Sequence, residues 1–418
     1  MAPSLLIQMP NEILRMILVY VQSPEYFSFP GAREFSLKPT EANSFGLKAL
    51  ATMRLVCQRI RQEATSLLFK EYYMDLRRRG GTYESPIFFT MDHANYIHIL
   101  NVGACWATTN GPVRFSEKVN RLLDFFGLQL FNFLPKLSNL RSIFIEGVKW
   151  DTRFPFFAGR ALGCAKLDDL KAMGLIFCNG HDYTEFLSGV LKGSKLRETG
   201  GATILNQIQR LRIQVLEDLG PRGRADSFFE VVRLASNLTS LSIHGVSNKD
   251  YMVLDMLDIT HIHHLKVLYI MSICSSAELL AQLLRQNSRT LQQLTLRCID
   301  LLSIGWDSVL ETILAAHALY FFVCQGNTYE FSVKDAAMPE WYFRNMGRGE
   351  TVVNFDVESL RARDTVMLGE LQRKINCNRR RQRMNKWGRD DGFIRLKETP
   401  LHTWDSAQVA QVHLPTIT

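Results

Sequence analysis

No stretch of the 418-residue chain approaches the roughly 18–20 consecutive apolar residues that a bilayer-spanning helix needs. Its start lacks a basic segment followed by a sustained apolar one, so no secretory signal is expected. The eight cysteines are scattered without a C-x-x-C pair or an alternating Cys/His cluster, which argues against disulfides and zinc and for reduced, packed thiols in the cytoplasm or nucleus. Glycine-rich phosphate loops are missing too. The run Gly193–Gly201, GSKLRETGG, lacks both the spacing and the Lys-Ser/Thr ending of a P-loop. No serine or cysteine nucleophile motif of recognisable form occurs. Together these absences predict a chain without catalytic residues, cofactor or metal.

Two features imitate sites. His261, His263 and His264 crowd the segment THIHHLKVL, but they precede a strand-like phrase in which neighbours alternate sides, and only Asp258 accompanies them at ligand spacing. A loop accounts for them better than a metal. The window Arg373–Arg389 holds Arg373, Lys374, Arg379, Arg380, Arg381, Arg383, Lys386 and Arg389 without one acidic residue. It reads as a solvated basic face, with nuclear import as the sharper alternative. Trp387 alone supplies too little aromatic interleaving for base recognition, so nucleic acid is not the expected partner.

What the chain does contain is apolar residues in a pattern. They make up 46% of it, which indicates a folded protein. One phrase recurs: apolar, two others, apolar, one other, apolar. It begins at Leu140, Leu170, Ile208, Leu238, Leu265 and Leu291, and a degenerate copy begins at Ala318. The successive intervals are 30, 38, 30, 27, 26 and 27 residues. An earlier copy starts at Ile97. Between the strands lie helical stretches, at Tyr183–Lys192, Ser227–Ala235, Ala277–Gln286 and Asp307–Ala316; in the third, Leu279, Leu280, Leu283 and Leu284 form one buried face. Eight residues past each start a small or apolar residue recurs, ending with Ile273 and Ile299. Such periods mark leucine-rich repeats, in which one strand and one returning helix cannot bury their apolar sides alone and so stack into a continuous core.

In that architecture the apolar strand positions point inward and the intervening ones line a concave face. The exposed middle row is then Phe144, Gly174, Arg212, Ser242, Tyr269, Thr295 and Phe322, and the next row includes His244, Arg297 and Cys324. Aromatic and arginine side chains are enriched at binding hot spots, so Phe144, Arg212, His244, Tyr269, Arg297 and Phe322 are the candidate substrate contacts. Arg210, Arg212 and Arg297 lean this face towards an acidic or phosphorylated target.

The first seventy-odd residues differ. In MPNEILRMILVYV, Pro10 takes the first helical position and Glu12 sits in the first turn. Ile13, Leu14, Ile17, Leu18 and Val21 share one face, while Met16, Val19 and Tyr20 occupy the other. A helix apolar nearly all round needs cover on both sides. The segment Phe45–Phe69 covers one, so the other calls for a partner.

The segments Met9-Pro10-Asn11-Glu12-Ile13-Leu14 and Leu55-Val56-Cys57-Gln58-Arg59-Ile60 resemble, in order, the two motifs of the F-box. With the repeats that follow, the chain is similar to the fungal F-box/leucine-rich-repeat type. The resemblance implies docking onto a Skp-type adaptor, and through it onto cullin and RING subunits, using Pro10, Ile13, Leu14, Ile17, Leu18, Val21, Val56, Cys57 and Ile60. It implies a substrate-recognition subunit of an SCF-type ubiquitin ligase that delivers an unknown protein substrate; the alternative is a scaffold acting outside ubiquitination. One departure stands out: 22–46, with Pro24, Pro30, Gly31 and Pro39, is longer than the family's usual connection.

The expected fold is therefore α/β. A helical F-box-like module spans 1–76, a linker 77–95, and a solenoid with a curved parallel sheet and convex-side helices 96–330. Residues 331–418 form a cap and basic tail.

Overall fold

The computed structural model describes residues 10, 13–14, 17–18, 48–55, 58–75, 78–79, 82–83, 91–103, 127–147, 153–177, 180–196, 204–215, 225–245, 261–301, 306–325, 328–329 and 362–383. Structural statements concern these residues.

One parallel sheet organises most of them. Its strands run in chain order: β1 Glu71–Asp75, β2 Ile99–Gly103, β3 Ser142–Glu146, β4 Ala172–Phe177, β5 Arg210–Val215, β6 Ser240–His244, β7 Val267–Ser275, β8 Gln293–Leu301 and β9 Phe321–Gln325. A short tenth strand, β10 (Thr328–Tyr329), pairs with the far end of β8. From β1 to β9 each strand pairs with the one before it, so no crossover in that run skips a neighbour. That sequential parallel order is what stacking of like units produces.

The stacking has a repeated hydrogen-bond device. The carbonyls of Lys70, His98, Arg141, Lys171, Gln209, Thr239 and Lys266 each accept from two consecutive backbone N–H groups of the following unit. This sets every strand in register with its predecessor. Polar side chains staple the turns before the strands: Asn139 Nδ2 donates to Asn95 O (2.7 Å), Gln207 Nε2 to Leu167 O (2.6 Å) and Asn237 Nδ2 to Asn206 O (2.6 Å). Asn287 is the most embedded of these. It accepts from Leu265 N at 2.8 Å and donates to Ile262 O and Leu283 O, both at 2.9 Å.

Inward rows of the sheet follow the period of two. Leu100, Ile143, Met173, Leu211, Leu241, Leu268, Leu294 and Phe322 form one register line, and Val102, Ile145, Leu175, Ile213, Ile243, Ile270 and Leu296 another; all of them are buried. They share one core with the helices α2 (Phe154–Cys164), α3 (Gly180–Lys195), α4 (Ala225–Leu234), α5 (Ala277–Gln286) and α6 (Trp306–Ala315). Helix α5 shows why such a segment is helical. Ser276 caps it by accepting from Leu279 N, Glu278 and Arg285 suit the dipole at opposite ends, and Leu280, Leu283 and Leu284 face the core.

Within β7 the alternation shifts at Ser272, whose φ is 54°. Leu268 and Ile270 are buried before it and Ile273 after it, and this is the inward turn that the recurring apolar residue marks.

The sheet begins earlier than the repeat phrases, because β1 lies inside the span expected to be purely helical and pairs with β2 in full register. At the other end, helix α7 (Ala362–Arg381) packs on α6. Its Met367, Leu371 and Ile375 join the large core. Asn378 Nδ2 donates to His317 O and Leu319 O at 2.9 and 2.8 Å, and Lys374 Nζ donates to Leu314 O. Burial lowers the Lys374 and Arg379 pKa values, with Tyr320 opposing the shift at Arg379.

A second, separate core lies near the N-terminus. Leu14 and Leu18 meet Leu50 and, on helix α1 (Gln58–Leu68), Ile60, Ala64 and Leu67. The hydrogen bond from Leu14 N to Pro10 O (3.0 Å) is the helical i to i−4 bond, with Pro10 where a missing N–H costs nothing.

Candidate recognition surfaces

The small helical unit presents two faces. Leu14 and Leu18 lie one turn apart and are wholly buried within it; Ile60 is 1% exposed. Expected as partner contacts, these three are instead its internal packing, because the opposing helices supply Leu50, Ala64 and Leu67 at matching spacing. Ile13 and Ile17, shifted by one residue, fall on the outer face, where Ile13 is 43% exposed and Ile17 intermediate. Leu55 is 78% exposed, the largest value among the exposed large apolar residues described. Leu55 stands in the quoted motif but was not among the expected contacts; a single Leu between Arg54 and Val56 carries no mark of which way it points. Pro10 is exposed, and Val21, Val56, Cys57 and the segment 22–46 lie outside the described residues.

The face of the sheet opposite the helices carries the second set; on it Asn101, Phe144, Gly174, Ile176 and Ser242 are buried, and Arg212, Gln214, His244 and Tyr269 are partly exposed. Parallel register places Asn101, Phe144, Gly174, Arg212, Ser242, Tyr269, Thr295 and Val323 in one row. The next row is Gly103, Glu146, Ile176, Gln214, His244, Met271, Arg297 and Gln325. Phe144, Arg212, His244, Tyr269 and Arg297 thus hold the register positions expected of them.

Phe322 does not. It pairs with Leu294 on an inward row and is fully buried. The last unit starts at Leu319 rather than Ala318, so Leu319 and Phe322 take the inward positions. Phe321, Phe322 and Val323 are all apolar, and either phase satisfies the pattern until β8 imposes one. For the same reason Gln325, not Cys324, stands beside Arg297.

Side chains on this face interlock. Phe144 lies over Gly174 on the neighbouring strand, where an added Cβ would come 2.2 Å from its ring, and is therefore only 7% exposed. The His244 and Tyr269 rings stack with centroids 4.8 Å apart and planes inclined by 21°, and the Tyr269 hydroxyl reaches Met271 Sδ at 3.4 Å. Arg212 Nη2 donates to Gln214 Oε1 at 3.1 Å. Burial lowers the Arg212 pKa, while Tyr269, Glu146 and Tyr183 act the other way. From below, the Tyr183 hydroxyl accepts from Gln214 N at 3.1 Å and lies within donor distance of Gln214 O and Leu175 O, tying β4 to β5 beneath this spot.

At the edge, Asn101 Nδ2 donates to Glu71 Oε1 at 2.9 Å. Nothing pointed to that pair in advance, since β1 carried no repeat phrase.

His263 and His264 are exposed, with ring centroids 6.5 Å apart. Among the described residues no group of three His, Cys, Asp or Glu is placed to hold a metal ion, and no helix is long and apolar enough to cross a membrane.

No family model matches the chain, and no curated protein does either. Among solved structures, the chain is similar to an internalin from Listeria monocytogenes at 13% identity and a TM-score of 0.27. The match covers 58% of this chain and 58% of the internalin.

Proposed function

We propose that the chain is the substrate-recognition subunit of an SCF-type ubiquitin ligase, acting in the cytoplasm or nucleus. The observation that carries the reading is the pair of separate cores. A small helical unit satisfies its own interior with Leu14, Leu18 and Ile60, yet turns Ile13 and Leu55 outward. A repeat sheet follows it, with Arg212, His244 and Tyr269 partly exposed on the face opposite the helices. The first surface is the one for a Skp-type adaptor, with Ile13, Ile17 and Leu55 as its apolar contacts and Val56 and Cys57 adjoining in sequence. The second is the one for the substrate.

No residue of this chain performs bond chemistry in this scheme. Holding a substrate lysine near the charged conjugating enzyme raises its effective concentration, and the rate gain is geometric. Burying each of Ile13 and Leu55 against an adaptor contributes about 1.5–3 kcal/mol.

The test is co-purification with a Skp-type adaptor and cullin, comparing the wild-type chain with an Ile13→Asp, Leu55→Asp variant. Capture by the wild type and loss in the variant supports the reading. Failure of both to be captured overturns it and leaves a repeat scaffold outside ubiquitination.

A further inference from the structure

We infer that the edge of the sheet at which the strands begin binds the phosphate backbone of a nucleic-acid duplex, without reading its bases. The inference goes beyond the ligase reading and does not depend on it.

A single row carries it. The residue that precedes each strand is Lys70, His98, Arg141, Lys171, Gln209, Thr239, Lys266, Gln292 and Tyr320, in order from β1 to β9. Backbone hydrogen bonds join these residues directly, each carbonyl accepting from the amide of the next at 2.7–3.0 Å. Neighbours in the row therefore stand one strand spacing apart, and from β1 to β9 it spans about 38 Å. That is the rise of about eleven base pairs. None of these residues is buried, and Arg141, Gln209 and Lys266 are exposed.

The chemistry of the row is that of phosphate contacts. Arg, Lys, Gln, Thr and Tyr side chains bond phosphate oxygens, and His98 adds a further donor. The row holds no acidic and no aliphatic residue. In the described turns that lead into β3–β9, Lys136, Arg289 and His317 are exposed as well. The acidic residues of those described turns are Asp168 and Asp169, and Lys166 lies 3.9 Å from Asp168. A protein partner calls for an apolar centre with charges at its rim, and the row has no such centre. A single strand calls for a series of aromatic platforms, and Tyr320 is the one aromatic residue of the row.

Helix α7 extends the same edge. Arg379 Nη1 donates at 3.5 Å to Tyr320 O, the carbonyl next in the ladder, and Asn378 Nδ2 donates to His317 O and Leu319 O. These bonds bring the end of α7 to the last member of the row, and Arg380, Arg381 and Arg383 are exposed there. The basic run near the C-terminus and the scattered basic residues of the repeats thus share one edge. Sequence spacing pointed away from nucleic acid because the row is drawn from residues 70 to 320 and becomes continuous only through the parallel register.

The test uses the full chain and fluorescence anisotropy with two labelled short DNA duplexes of unrelated sequence and a labelled polyglutamate of similar net charge. The expected result is equal binding of the two duplexes, tighter than that of polyglutamate, with a steep fall as salt rises. Arg141→Gln and Lys266→Gln each weaken duplex binding about fivefold at low salt, and each lowers the logarithmic salt slope by about one. Gln209→Lys adds a charge at an exposed place in the row and tightens binding by a similar factor. The ladder uses the backbone of these residues and not their side chains, so the variants keep their fold. The gain at Gln209 keeps the result readable if a loss variant does not. Arg380→Gln with Arg381→Gln weakens binding as well, while Arg153→Gln, at an exposed position beyond the far end of β3, leaves it unchanged. Loss with the α7 pair alone, with no change from the row variants in either direction, overturns the inference. So does preference for one duplex sequence, or tighter binding of polyglutamate, which assigns the edge to an acidic protein. The Ile13→Asp, Leu55→Asp variant retains duplex binding whether or not the ligase reading stands.

Discussion

Gly163 of α2 and Gly193 of α3 face each other so closely that a Cβ on either would lie 2.9 Å from the other's Cα. Four residues earlier the contact repeats, with Gly159 against the Phe186 carbonyl and Gly189 against that of Phe156. Two small residues one turn apart on each helix let the backbones approach. Cys164 Sγ, at 3.6 Å from Gly193 O, closes the same seam. Replacing Gly163 or Gly193 with Ala forces the helices apart despite Ala's better helix propensity, and the expected cost is about 1–3 kcal/mol. Chemical denaturation checks this. An unchanged or raised midpoint would show that the helices separate freely.

Asn287 fills a different kind of joint. It is 1% exposed and satisfies two carbonyls and one amide, from the stretch before β7 and from α5. Asn287→Ala strands those groups away from water, and the expected destabilisation is about 3 kcal/mol, larger than for Asn237→Ala at an exposed staple. Thermal unfolding of the two variants in parallel gives the ordering.

The two cores predict separable failures. Leu14→Asp or Leu18→Asp places a charge inside the small helical core and is expected to unfold that unit, which on the proposed ligase reading removes adaptor capture. The repeat sheet has its own core and keeps its hydrogen-exchange protection. Ile13→Asp keeps both units folded and affects capture alone. Loss of protection across β3–β8 in Leu14→Asp would show that the units fold as one.

Helix α7 covers the last repeat with Met367, Leu371 and Ile375. Leu371→Asp is expected to cost at least about 3 kcal/mol and to raise hydrogen exchange first in α6 and β9. A variant that alters exchange first near β1 would contradict this placement.

Salt reports on the basic helix. Arg373, Arg380 and Arg381 on α7 are exposed, so any nonspecific polyanion binding by the chain is expected to fall steeply with ionic strength. Titration of heparin against added salt checks this, and a slope near zero would contradict it.

The repeat was legible because a parallel strand packed on helices must alternate, and six phrases from Leu140 to Leu291 kept that alternation at nearly constant spacing. The helix Ala277–Gln286 was readable to its ends for a similar reason: Leu279, Leu280, Leu283 and Leu284 mark a face, of which the structure buries the last three and half-buries Leu279. Helix α2 was not anticipated. Its Phe154, Pro155, Phe156 and Phe157 show no single apolar stripe, and it packs on α3 through the glycine seam.

The sequence by itself determined which residues alternate, and so most of the inward rows and the opposite register positions of Phe144, Arg212, His244, Tyr269 and Arg297. Only tertiary structure decided the phase of the last strand, the presence of β1 in the sheet, and which side of the first helix faces outward. In each of these the local pattern is degenerate, with apolar residues on adjacent positions. A neighbouring element breaks the tie: β8 hydrogen-bonds β9 in one register, β2 recruits β1, and Leu50, Ile60 and Leu67 draw Leu14 and Leu18 inward while Ile13 remains in solvent.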